Sequence, residues 1–120
     1  MMTEDNYKHI DLGYLYEIAD NEVDFMKEMI SDYIGKIPAQ FEELCSAAEV
    51  SDFEKTRFIS HKLKSSFQFM GAQQLIDLAH SVEKLSEGGD SAVIKEKLDM
   101  MKEPVVLVID ELQHKLNTLS

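Results

Sequence analysis

The sequence has little of what breaks, crosslinks or membrane-anchors a chain. Its 120 residues include two prolines, five glycines, one cysteine and no tryptophan. A single cysteine, Cys45, excludes an internal disulfide and fits the reducing cytoplasm. No apolar stretch approaches the roughly twenty residues that cross a bilayer. The opening "MMTEDNYKHID" is acidic without an apolar core, so it does not read as a signal peptide. Positive charge is scarce, with 12 Lys and Arg against 23 Asp and Glu, a net charge of −11. That balance argues against nucleic acid or an anionic membrane as partner, since both need a basic surface. There is no internal repeat, no low-complexity segment and no glycine-rich loop to cradle a nucleotide phosphate.

What is present is ordinary globular material, 44% hydrophobic and 29% charged, enough for one domain with one modest core. Apolar residues recur at helical spacing almost throughout. A short helix is predicted over 11–19 with Asp11 as its cap, then a long one over 21–49 opened by Asn21. Met26, Ile30, Tyr33, Ile37, Phe41, Leu44 and Ala48 step by threes and fours, and the phase carries across Pro38, which predicts a kink rather than an end. Cys45 falls on the core side of that helix, as a buried thiol with no chemistry. Ser51 and Glu54 form a capping box for a helix over 51–70, closed by a left-handed Gly71. Leu75, Leu78, Val82 and Leu85 point inward on a helix over 73–87, and "EGGD" turns into the last helix over 91–118. In that helix "PVVLVI" could pass for a strand, but Val105, Val108, Ile109, Leu112, Leu116 and Leu119 keep helical phase. Such stripes hide best against one another, so the expected fold is all-α: an antiparallel four-helix bundle with a short additional N-terminal helix as a lid.

One residue stands apart in "RFISHKLKSSFQFMGA", Arg57 to Ala72. At about 100° per residue, an apolar stripe runs through Ile59, Leu63, Ser66, Phe67 and Met70, and His61 lies roughly 200° from Ile59. It is therefore exposed, either idle or functional. Lys64, Ser65 and Gln68 share its face. An ammonium, a small hydroxyl and an amide suit an imidazole that carries a phosphoryl group. Lys55, Arg57, Lys62 and Lys64 crowd ten positions of an acidic chain, as a solvated face or as a docking face for an acidic partner. His9, His80 and His114 read as dispensable surface residues.

The stretch resembles the signature of the histidine-containing phosphotransfer (Hpt) domain family of phosphorelays. His61, Leu63, Lys64 and Ser66, then Gly71 and Ala72, carry the likeness. "LIDLAHSVEKL", with its glutamate at Glu83, resembles the family's next helix, and "GGD" the turn after it. In layout the likeness covers 21–119. Family members usually have glycine where this chain has Ser65, which bears on how closely a partner docks.

The resemblance implies a phosphohistidine carrier without a kinase domain. His61 would accept a phosphoryl group from a receiver-domain aspartate and pass it to another receiver. Lys64 would neutralise phosphate charge and Gln68 would hydrogen-bond it, while Ser65, Lys62, Arg57 and Gly71 would meet the partner. The expected partners are response-regulator receiver domains and a hybrid sensor histidine kinase, with the chain a cytoplasmic monomer. No cofactor of its own is expected; Mg²⁺ would come from the receiver. Histidine suits the task because an unperturbed imidazole, with a pKa of about 6.5, is largely a neutral nucleophile at pH 7.

Three other readings stand beside this one. "SHKLKSS" also resembles the histidine-kinase dimerisation helix, although that family places an acidic residue after the histidine and a proline further on, where this chain has Lys62 and Phe67. Asp77/His80 and Glu111/His114 have the i, i+3 spacing of metal-binding bundles, but lie off the inward faces set by Leu78 and Leu112. A non-transferring receiver-binding adaptor is the third, and Ser65 is its sole support.

Overall fold

A computed structural model describes residues 6–119; residues 1–5 of the acidic opening, and Ser120, lie outside them. The described residues form α1 (Gly13–Ala19), α2 (Val23–Glu49), α3 (Phe53–Phe69), α4 (Gln73–Gly88) and α5 (Ser91–Thr118), with no strand among them. The turns after α2, α3 and α4 are only two or three residues long, so each helix must reverse on the one before. α2 packs on α3, α3 on α4, α4 on α5, and α5 back on α2, which closes an antiparallel four-helix bundle. Met26, Ile30, Ile37 and Leu44 of α2 meet Leu63 and Phe67 of α3, Val82 of α4 and Ile94, Met101 and Leu112 of α5 in one solvent-free core.

The helices are unequal. α2 and α5 have 27 and 28 residues against 17 and 16 for α3 and α4, so they run about 15 Å further at 1.5 Å per residue. The rings of Tyr33 and Phe69, 6.3 Å apart, mark where α3 stops along α2. Beyond that level the long pair is covered by the N-terminal residues instead. Ile10, Leu12, Leu15, Tyr16 and Ala19 are buried there, and the Lys115 ammonium sits 5.0 Å from the centre of the Tyr16 ring. Ahead of α1 a strap is held by hydrogen bonds to the bundle. The backbone N–H groups of Lys8 and His9 donate to the Glu111 carboxylate at 3.3 and 2.9 Å. Tyr7 Oη lies 2.8 Å from His114 Nδ1, and the Asp11 N–H donates to the Met70 carbonyl at 2.8 Å.

Two expected caps belong to other helices. Asn21 and Ser51 have φ of 62° and 57° and finish α1 and α2; neither opens the helix that follows. Ser51 donates to the Ala48 carbonyl and Asp52 to that of Ala47, the paired bonds of a left-handed helix end. A residue committed to that conformation cannot also be an N-cap, which needs extended backbone. The capping box is therefore absent: Asp52 caps α3 by accepting from the Lys55 N–H, and Glu22 precedes α2. Asp11 accepts from the Gly13 N–H, one residue outside the cap position, which Leu12 holds. Gly71 ends α3 as expected, with φ of 62°.

α2 runs through Pro38 without ending. Phe41, Leu85, Ile109, Leu116 and Leu119 are half-buried at the margins of the core. On α3 the expected inward Ser66 is also marginal, while Thr56 and Ser60 are fully buried, their hydroxyls satisfied by the Asp52 and Thr56 carbonyls at 2.8 and 2.7 Å. Cys45 is half-buried between α2 and α5; burial pushes its thiol pKa up.

Candidate functional site

The site spans the α3–α4 seam, the most extensive pairing in the bundle. His61 lies at the middle of α3 with its side chain 62% exposed. The ring nevertheless has a fixed partner: Nδ1 lies 3.0 Å from Oε2 of Glu83 on α4. The other carboxylate oxygen, Oε1, accepts from Lys64 Nζ at 2.7 Å. Glu83 and Lys64 are 17% and 18% exposed, so this ion pair sits in the seam while the imidazole stands above it. Lys64 Nζ also lies 3.3 Å from His80 Nδ1.

The chemistry of the groups fixes the proton. An ionised carboxylate only accepts, so the His61 nitrogen facing Glu83 must be the N–H. In neutral His61 the lone pair is then on Nε2, which makes no hydrogen bond among the described residues. Glu83 stays ionised easily. The hydrogen bond from Lys64 is the largest influence on its carboxyl, outweighs the opposing effect of burial, and with the bond to His61 holds the pKa below the usual glutamate value. One carboxylate thus orients the ring and anchors the ammonium.

The other expected site residues fall differently. Ser65 is exposed one turn beyond His61, and its hydroxyl folds back to donate to the His61 carbonyl at 3.4 Å. Lys62 is exposed, its Nζ 5.3 Å from the centre of the Phe58 ring. Arg57 is exposed one turn before His61. Gln68 is exposed two turns beyond it, about 10 Å along the axis, and is not brought to the imidazole. Gly71 is half-buried and packs against the N-terminal strap. Its own strap covers it so closely that a Cβ would collide with the Asp11 carbonyl oxygen. The paired residues Asp77/His80 and Glu111/His114 are used separately: Asp77 accepts from Gln73 at 2.9 Å, and Glu111 and His114 hold the strap. No group of three or more metal-type ligands occurs among the described residues.

Sequence reasoning placed His80 on an idle surface and gave Glu83 no task. Both flank the inward stripe of α4, one turn apart, and spacing alone does not say which neighbouring helix such a flank meets. Phe58 was also missed, although a large aromatic on the outer face of an amphipathic helix is a signal in itself. It is 60% exposed, one turn before His61.

Residues 28–120 match the model of the Hpt domain family, a span that takes in α3, α4, α5 and most of α2. The chain belongs to the Hpt domain family. Such domains are phosphocarrier modules without kinase activity; they serve phosphorelay histidine phosphotransfer in two-component systems and interact with the receiver domains of response regulators. No curated protein and no solved structure matches the chain. Among the described residues no helix is long and apolar enough to cross a membrane.

Proposed function

We propose that His61 is the phosphoacceptor of a phosphorelay intermediate. Its Nε2 lone pair attacks, in line, the phosphorus of an aspartyl phosphate on a receiver domain. The bond from phosphorus to the aspartate oxygen breaks, and its electron pair returns to that carboxylate. The phosphoryl group later passes to the aspartate of a second receiver. A hybrid sensor histidine kinase stands upstream, and the chain works as a cytoplasmic monomer.

The observation that carries this reading is the exposed imidazole with Nδ1 anchored 3.0 Å from Glu83. As Nε2 bonds to phosphorus the ring becomes cationic, and the Nδ1–H already faces a carboxylate. The phosphoryl oxygens bring negative charge, and Lys64 is the cation beside them. In this reading Mg²⁺ belongs to the receiver. Phe58, Lys62, Arg57, Ser65 and Gln68, all exposed on α3, supply the surface on which it docks.

A receiver charged with acetyl phosphate should leave an acid-labile phosphoryl group on the chain, and His61→Gln should not acquire it. An acid-stable product, or labelling that survives His61→Gln, overturns the assignment.

A further inference from the structure

His80 has a contact that neither the family motif nor the proposed chemistry uses. It sits one turn before Glu83 on α4, and the two present acceptors to the same ammonium: Glu83 Oε1 at 2.7 Å and His80 Nδ1 at 3.3 Å from Lys64 Nζ. Lysine has three N–H donors and no acceptor. The His80 nitrogen facing it must therefore offer a lone pair, which puts the proton of neutral His80 on Nε2.

Two acceptors on one rigid helix do what one cannot. Held by Glu83 alone, the ammonium could still turn about the line to that oxygen. Held at two points, its third N–H has a fixed direction. The second acceptor is also uncharged. Glu83 already balances the single charge of Lys64, and a second carboxylate would leave the group net negative where a phosphoryl anion must come. An imidazole lone pair orients the ammonium without adding that charge.

We propose that His80 is a positioning residue for phosphoryl transfer, the neutral acceptor that aims Lys64 at the phosphoryl group on His61. This rests on the reading of His61 as phosphoacceptor. The test compares His80→Leu, which removes the acceptor, His80→Asn, whose amide oxygen takes the place of Nδ1, and His80→Asp, the same size as Asn but charged. Transfer is timed from a charged receiver and from phosphoramidate, a small donor that needs no docking.

With both donors, His80→Leu should be slower by about tenfold, His80→Asn within about threefold of the parent, and His80→Asp about as slow as His80→Leu. A purely structural role would not separate Asn from Asp. Parent-like transfer by His80→Leu, or equal rates for Asn and Asp, overturns the proposal. If the parent takes no phosphoryl group on His61 from either donor, the underlying reading has failed instead. Independently of any transfer, ¹⁵N spectra of the parent should show neutral His80 as the Nε2–H tautomer, and the Nδ1–H tautomer would refute the contact.

Discussion

Glu83 reaches across the α3–α4 seam to hold His61 Nδ1 at 3.0 Å, and with its second oxygen holds Lys64 at 2.7 Å. The nucleophile and the cation expected to meet its phosphate are thus positioned by one carboxylate. Glu83→Gln keeps the shape and removes the charge. It should slow phosphoryl acceptance by about tenfold, because neither the cationic ring nor Lys64 retains its counter-charge. Parent-like rates in this variant would show that the carboxylate does not act in transfer.

The same residue gives a pH dependence of stability with a definite sign. Its folded pKa lies below the ordinary value of 4.5, through the hydrogen bond from Lys64 first and that from His61 after burial is offset. A depressed carboxyl stabilises the fold above the unfolded pKa, and that contribution is lost as pH falls through the folded one. Denaturant unfolding should therefore show the parent more stable than Glu83→Gln at pH 6, with the gap narrowing below about pH 4. A gap that stays constant down to pH 3 contradicts the ion-paired geometry.

His61 itself holds little of the fold. Its side chain is 62% exposed, and the carboxylate its ring meets is also satisfied by Lys64. His61→Gln should leave unfolding free energy within about 1 kcal/mol of the parent while transfer is lost. A larger loss would mean that the Nδ1 contact is structural.

Ser65 and Lys64 adjoin in sequence but should fail in different ways. Lys64→Ala should slow transfer and shorten the life of the phosphorylated state with receiver affinity little changed. Ser65 acts through size: Ser65→Gln would push the docked surface away, and a displacement of about 1 Å can cost on the order of a hundredfold in rate. Ser65→Gly should transfer as well as the parent, with about 1 kcal/mol lost from helix stability. Normal transfer by Ser65→Gln would mean the receiver docks elsewhere.

The bundle was legible because each helix carries an unbroken stripe, from Met26 to Ala48 on α2 and from Val105 to Leu116 on α5. His61 could be placed outside by angle alone. The caps at Asn21 and Ser51 were not legible, because a two- or three-residue turn must end one helix and begin the next, and composition does not say which task a polar residue takes. The tie from Glu83 to His61 joins residues 22 positions apart. Nothing local to either one reports it, and the same holds for His80 beside Lys64. Sequence spacing fixes a residue's place on its own helix, and the pairing of helices decides what it touches.

Gly71 illustrates that limit and gives a further test. Its left-handed backbone, φ 62°, was expected, but the strap lying over it was not. Two separate costs meet any replacement: the backbone conformation, and the collision of a Cβ with the Asp11 carbonyl oxygen. Gly71→Ala meets both and should lose about 1–3 kcal/mol of stability. Asparagine tolerates the left-handed region better than most residues, so Gly71→Asn separates the two. If conformation were the whole cost, Asn would recover most of the loss. Because the collision remains, Gly71→Asn should stay close to Gly71→Ala in a thermal or denaturant melt. Receiver affinity of the folded variants should be unchanged, since a side chain added at Gly71 is directed into the strap. Weakened docking with unaltered stability would return Gly71 to the partner surface and remove the strap from its explanation.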